Sequence, residues 1–264
     1  MEFLALLVKT LLLRPYVFIF LAIALSASVW LMGTRRTAIF FLLTCTTAFL
    51  CEFASTRTGI PFGWYSYTGS TRGQELYISN VPFMDSLSFS FLLFTSYCLA
   101  LLFLLPAQGH GLKTTIRDDQ TIRTSGSMLA LTALFFVLLD VIIDPVALRG
   151  DRWFLGKIYY YPEPGMYFGV PIANYLGWAV VGLVAFGLYQ RIDRRLPNSA
   201  RAENIAGKLV LGCALYYGVL GFNLAVTFWI GERLLGATGI VMYLPITAFL
   251  LLKLAGRLSA PYNG

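Results

Sequence analysis

The 264-residue sequence predicts an all-α fold, a polytopic transmembrane helical bundle of about seven spans forming one transmembrane domain over residues 1–264. Three observations carry this reading. Hydrophobic residues make up 58% of the chain and charged residues only 12%, against roughly 25% charged in soluble globular domains. Mean hydropathy is +0.71. Apolar runs long enough to cross a bilayer recur from end to end, and a helix is the structure that satisfies its own backbone there.

In chain order the spans are read at roughly 15–33, 37–54, 82–105, 127–146, 171–190, 208–230 and 238–256. The leading stretch from Phe3 to Leu13 is apolar but interrupted by Lys9, so it either extends the first span or lies in the interface. The run from Tyr16 to Leu31 is too long for a cleaved signal, and no small-residue cleavage site follows a basic segment. Spans three and five each open on Val-Pro, at Val81-Pro82 and Val170-Pro171, with proline where a helix starts. Span four carries Asp144-Pro145 near its end, where the pair can simply stop the helix.

The net charge of +7 is spread over loops. Without a basic stripe interleaved with aromatics, it suits membrane lipid headgroups and not nucleic acid. Seven spans divide the basic residues into two sets. One contains Arg35, Arg36, Lys113, Arg117, Arg123, Arg191, Arg194, Arg195, Arg201, Lys208, Lys253 and Arg257; the other has eight members. The positive-inside rule places the larger set in the cytoplasm, with the N-terminus outside. The protein is expected as a multi-pass protein of the cell (inner) membrane. Cys45, Cys51, Cys98 and Cys213 lie in or beside apolar spans without CxxC spacing and read as packing residues.

The acidic residues are distributed less evenly. Asp140 and Asp144 lie inside the fourth span, four apart and on one helix face. A mid-membrane aspartate costs roughly 2.5 to 3.5 kcal/mol on insertion scales, so two on one face need a partner, a proton or a polar cavity. Glu52 ends span two and Asp85 opens span three; in the up-down order these four carboxyls fall toward one membrane face. Asn174 and Asn223 fall there too, beneath two longer loops rich in aromatics and glycines. One polar pocket opening to that side is expected. A weak internal repeat supports it: the Val-Pro openings of spans three and five are followed by Asp85 and Asn174 in matching positions, with Glu52 and Asp140 upstream by 33 and 34 residues. This would be a parallel helix–loop–helix duplication.

Elimination narrows the chemistry. The lone histidine, His110, lies in a loop on the opposite face, which removes bis-histidine haem, His-rich di-iron and His-based zinc sites. No phosphate-binding glycine loop and no nucleophile elbow occurs. Asp118-Asp119 beside Lys and Arg reads as solvated surface. Asp140 and Asp144 have the DxxxD spacing of a diphosphate site but lack a second acidic cluster. No metal and no cofactor is called for. What remains is carboxylic acid chemistry in an apolar, aromatic setting. A buried carboxyl beside a second one can keep its proton near neutral pH. Such an acid can protonate a trisubstituted isoprenoid double bond, the tertiary cation resting on aromatic faces and carboxylate charge. Water activated by another carboxylate then completes a hydration.

Four segments carry a resemblance: EFASTRTGIPFGWYSYT (Glu52–Thr68), NVPFMDSLSFS (Asn80–Ser90), DVIIDPVA (Asp140–Ala147) and GMYFGVPIANYLGW (Gly165–Trp178). In order and content they resemble the integral-membrane carotenoid biosynthesis family, which includes carotenoid 1,2-hydratases acting on γ-carotene and on the bacterioruberin precursor. The resemblance implies a carotenoid substrate, hydration of its terminal ψ-end double bond to a tertiary 1-hydroxyl, no cofactor, and other carotenoid-pathway enzymes as partners left open. The physical argument, not the resemblance, assigns roles: Asp140 or Asp144 as the acid, with Glu52 and Asp85 as cation stabiliser and water-activating base. Trp64, Tyr65, Tyr67 and Tyr167 are candidate substrate-binding residues, with Asn174 and Asn223 to hold the water or to bond across helices. Trp153 and Tyr159-Tyr160-Tyr161 read in part as an interfacial aromatic belt. Arg57 pairs either with Glu52 or with a headgroup. Two competing functions stand beside hydration: a cyclase-like isoprenoid enzyme, and a proton-coupled transporter using the carboxyls as a relay.

Overall fold

Proline and glycine punctuate the helices where the chain turns. The computed structural model describes residues 2–109, 111–196 and 204–256. His110 and two of the counted basic residues, Arg201 and Arg257, lie outside the described residues. Helix α1 (Glu2–Leu13) stops just ahead of Pro15, and α2 (Pro15–Met32) begins on that proline, which has no N–H to leave unpaired. The leading apolar stretch is therefore a helix of its own, with Phe3, Leu4 and Leu12 largely exposed. Helix α3 (Thr34–Thr58) ends at Gly59 in the left-handed conformation. Next come α4 (Phe83–Leu104), the short α5 (Gln120–Arg123), α6 (Gly126–Ala147), α7 (Ile172–Asp193), α8 (Ala206–Trp229) and α9 (Arg233–Leu254).

Seven of these, α2, α3, α4, α6, α7, α8 and α9, are long and apolar enough to cross a membrane. The chain is a multi-pass membrane protein, and its spans coincide with those read from the sequence to within a few residues. The last one begins five residues earlier, at Arg233. Helix α6 runs through Pro145 to Ala147, so the Asp144-Pro145 pair sits in the final turn of the helix without stopping it. Ser125 caps its start by accepting from the backbone N–H of Met128 at 3.1 Å.

Helices α3, α4, α6 and α7 pack as a ring, each against the next and α7 back against α3, and α2, α8 and α9 flank the α4–α6 side. From Phe89 to Leu102 every residue of α4 is buried. A helix apolar on all faces belongs inside a bundle, and α4 is this bundle's centre. The ring has the form of the duplication: α3 lies on α4 as α6 lies on α7, and α4 meets α6 as α7 meets α3.

Among the described residues the loops add three two-stranded ribbons. Strand β1 (Ser66–Tyr67), after α3, pairs antiparallel with β6 (Tyr159–Tyr160), after α6; β2 (Tyr77–Ile78) pairs with β3 (Val81–Pro82), and β4 (Ala107–Gln108) with β5 (Thr115–Ile116). The β1–β6 register sets Ser66 against Tyr160 and Tyr67 against Tyr159. Equivalent strands meeting antiparallel about one point is what a two-fold relation between two repeats produces. This ribbon closes the ring at one end.

Candidate active site

In an extended strand alternate side chains share a face. Tyr65 and Tyr67 therefore point the same way, as do Tyr159 and Tyr161, and the β1–β6 pairing turns all four toward the ring. Their rings form a quadrangle, with centroids 5.3 Å apart for Tyr65–Tyr67, 5.8 Å for Tyr159–Tyr161, 6.2 Å for Tyr65–Tyr161 and 6.5 Å for Tyr67–Tyr159. Below it lies a chamber of about 50 Å³ bounded by Glu52, Asp85, Asp144, Asn174, Phe62, Phe89 and Trp178. That is enough for at least one water molecule. Trp178 and Phe89 stack at 4.1 Å and form its floor. Phe62 reaches in because Gly177 on α7 presents no Cβ against its ring and Ser55 Oγ accepts its backbone N–H at 2.9 Å.

The two halves of the chamber are bonded differently. In the first, Tyr67 Oη lies 2.9 Å from Glu52 Oε1 and 2.8 Å from Asp85 Oδ2, while Ser86 Oγ donates to Glu52 Oε2. A phenol has one proton to give. Both contacts are hydrogen bonds only if Glu52 or Asp85 carries a proton of its own. In the second half, Asp144 accepts from Tyr159 at 2.6 Å, Tyr161 at 2.8 Å and Asn174 Nδ2 at 2.8 Å. Three donors on one carboxyl describe a carboxylate. Asn174 Nδ2 also donates to Asp140 Oδ2 at 2.8 Å, whereas Asp140 Oδ1 is buried without a partner.

Burial, together with the adjacent carboxyls, pushes Tyr67, Tyr159 and Tyr161 well above the usual phenol range. These hydroxyls therefore keep their protons and act as donors. Among the described residues no Lys or Arg forms an ion pair with any of the four carboxyls. Arg57, an expected partner of Glu52, instead lies over the Phe53 ring at 3.5 Å and donates to Phe53 O and Ser79 Oγ.

Glu52, Asp85, Asp140, Asp144, Asn174, Tyr65 and Tyr67 thus come together at one end of the bundle. The other candidates lie elsewhere. Trp64 is 59% exposed and packs over Gly59, outside the chamber. Tyr167 stacks edge-on against Phe168 and Tyr175 in the loop before α7. Asn223 lines a second, apolar cavity and donates to Val219 O at 2.9 Å. Tyr160 is exposed, whereas Tyr159 and Tyr161, read in part as an interfacial belt, turn their hydroxyls inward onto Asp144. Asp118 is no solvated residue: it is buried against Arg123, and Asp119 caps α5. Ser86, Phe62, Phe89 and Trp178 were not singled out from the sequence. Tyr-x-Tyr recurring at 65–67 and 159–161 was the legible signal for the quadrangle.

The sequence profile described as "Carotenoid biosynthesis protein" matches residues 13–245. A bisanhydrobacterioruberin hydratase of Haloarcula japonica is 28% identical over 223 residues, covering 82% of this chain and 68% of that protein. No solved structure matches.

Proposed function

We propose, from the premise that the chain belongs to the carotenoid biosynthesis protein family, that it is a carotenoid hydratase adding water to a terminal C1–C2 double bond of a carotenoid ψ-end. The observation that carries the proposal is the single phenol of Tyr67 held between two carboxyls, neither of which has an ion-pair partner among the described residues. That arrangement stores one transferable proton in a site whose walls are otherwise aromatic. The hydratase relative supports the same reaction class.

The chemistry follows from the two halves. The Glu52–Tyr67–Asp85 group gives its proton to C2 of the alkene, and C1 becomes a tertiary cation. The faces of Phe89 and Trp178 and the charge of Asp144 stabilise it. Water in the chamber attacks C1, and its proton passes to Asp144. That proton returns to the first half across the chamber that both halves line. Alkene and water become a tertiary alcohol, and no electrons are exchanged. The hydrogen bonding favours Glu52 and Asp85 as the acid over the Asp140–Asp144 pair favoured by sequence. Asp140, joined to Asp144 through Asn174, is a positioning residue.

The test is expression in cells that accumulate an acyclic carotenoid, grown in heavy-oxygen water. The expected product is a 1-hydroxy carotenoid carrying the heavy atom. Label arriving from molecular oxygen instead, or a cyclised product without oxygen, overturns hydration.

A further inference from the structure

Beside the carboxyl chamber lies a second cavity of about 110 Å³ between α2, α4, α6 and α8. Its walls are Val17, Phe20, Phe91, Ile143, Val219 and Phe222, with Trp153, Leu155 and Ile158 from the loop after α6. Phe222 packs against its other aromatic walls, 5.7 Å from Tyr16, 5.9 Å from Phe20 and 6.3 Å from Trp153 between ring centroids. Two of the polar groups on these walls bond within their own helices: Ser88 Oγ donates to Asp85 O at 2.7 Å, and Asn223 Nδ2 to Val219 O at 2.9 Å. The lining therefore offers a hydrocarbon surface and little that a polar ligand would bond to.

Two residues, Asp85 and Tyr159, line both this cavity and the carboxyl chamber. Asp85 is the one carboxyl that faces both. Glu52 and Asp144 border only the chamber, and Asp140 borders neither.

We propose that this cavity seats the branched hydrocarbon segment adjoining the reacting double bond of an isoprenoid substrate, so that the alkene meets Asp85 at the junction of the two spaces. The assignment rests on the hydratase reading and adds to it the binding site and the carboxyl that touches substrate. Continuity with the chamber argues for this occupant: an apolar chain entering here ends against a proton donor with water space behind it. The remainder of a long polyene leaves between the flanking helices into lipid. Asp85 is then the catalytic acid, and Glu52, bonded to the same phenol, supplies it with a proton through Tyr67.

Two measurements test this on the full chain in detergent or lipid. Val219 faces the cavity from α8, away from the carboxyls, and Val219→Trp fills it. Acyclic polyene bound to wild-type protein is expected to show induced circular dichroism, and the variant is expected to lose that signal and at least tenfold in conversion. A diazirine-tagged isoprenoid alkene on wild-type protein is expected to label the stretches 84–92, 143–147 and 219–223, which needs no variant to fold. Undiminished dichroism and conversion in Val219→Trp, or label confined to the lipid-facing surface, overturns the cavity while leaving hydration standing. Label in the cavity with the polyene returned unchanged keeps the cavity and overturns hydration.

Discussion

Helix α7 carries a buried polar residue at each end, and their surroundings are opposites. Asn174 in the first turn joins the carboxyl chamber; Asp193 in the last turn, about 28 Å away at 1.5 Å per residue, joins an ion network. Asp193 Oδ1 accepts from Arg36 Nε at 2.6 Å and Oδ2 from Arg123 Nε at 2.8 Å, while Arg123 also pairs with Asp118. Gln190 donates to Arg123 O and Ser125 O at 3.1 Å each, tying the network to the start of α6. At that end the buried acids Asp118 and Asp193 are met by guanidinium. At the other, four carboxyls are met only by phenols, a serine and an amide. A guanidinium holds a carboxylate permanently charged, so the Asp193 network is fastening. A neutral hydroxyl lets the carboxyl gain or lose its proton, so the chamber can move protons. Burial alone does not separate a structural acid from a reactive one; the charge of its partner does.

The contrast can be broken most directly at the chamber. Asp85→Asn, Glu52→Gln and Asp144→Asn keep shape but remove the exchangeable proton or charge, and each is expected to lower conversion by roughly a hundred- to ten-thousandfold. Membrane insertion should persist, because removing a buried charge eases it. Pigment analysis together with membrane-fraction yield reads both. Near-normal conversion in all three would move the chemistry elsewhere.

At the opposite end the outcome is expected to invert. Asp193→Asn leaves Arg36 and Arg123 without their shared carboxylate and should cost about 3 to 5 kcal/mol of stability. Conversion per folded molecule should stay at the wild-type level. A thermal unfolding midpoint in detergent, set against activity normalised to folded protein, separates the two. Lost turnover at unchanged stability would couple the network to catalysis.

A smaller effect sharpens the division within the chamber. Tyr161→Phe leaves Asp144 two of its three donors, a loss of about 1.5 to 3 kcal/mol for a hydrogen bond to a charged group, or roughly ten- to hundredfold in rate. Tyr67→Phe should cost more than Tyr161→Phe, because it cuts the one link between Glu52 and Asp85. Equal losses would argue against the proton residing in the first half. The smallest expected effect is at Trp64→Ala: within about 0.5 kcal/mol in stability and no change in conversion, since the indole lies outside both cavities.

The sequence by itself determined the spans, because apolar length is a local property and the bilayer imposes it on each helix separately. It also determined that Glu52, Asp85, Asp140, Asp144 and Asn174 fall at one end, since alternating helix direction converts position in a span into depth. The Val-Pro openings and the acids upstream marked the two helix pairs that the α3–α4–α6–α7 ring brings together. Only the tertiary structure decided which donors meet which carboxyl. Tyr159 and Tyr161 read as interfacial belt until the β1–β6 pairing turned them inward, and two-residue strands leave almost no periodicity to detect. Asp118 read as surface until Arg123 folded over it from the next turn of chain. Arg57 sits close to Glu52 along α3 yet lies about 140° around the helix from it, and so faces away. Beyond it, the left-handed turn at Gly59 carries Trp64 outside the chamber. Partner choice among buried polar groups depends on contacts between residues up to 160 positions apart, and no local pattern encodes those. The Glu52–Tyr67–Asp85 bonding is of this kind, because it exists only where Tyr67 is delivered between two helices.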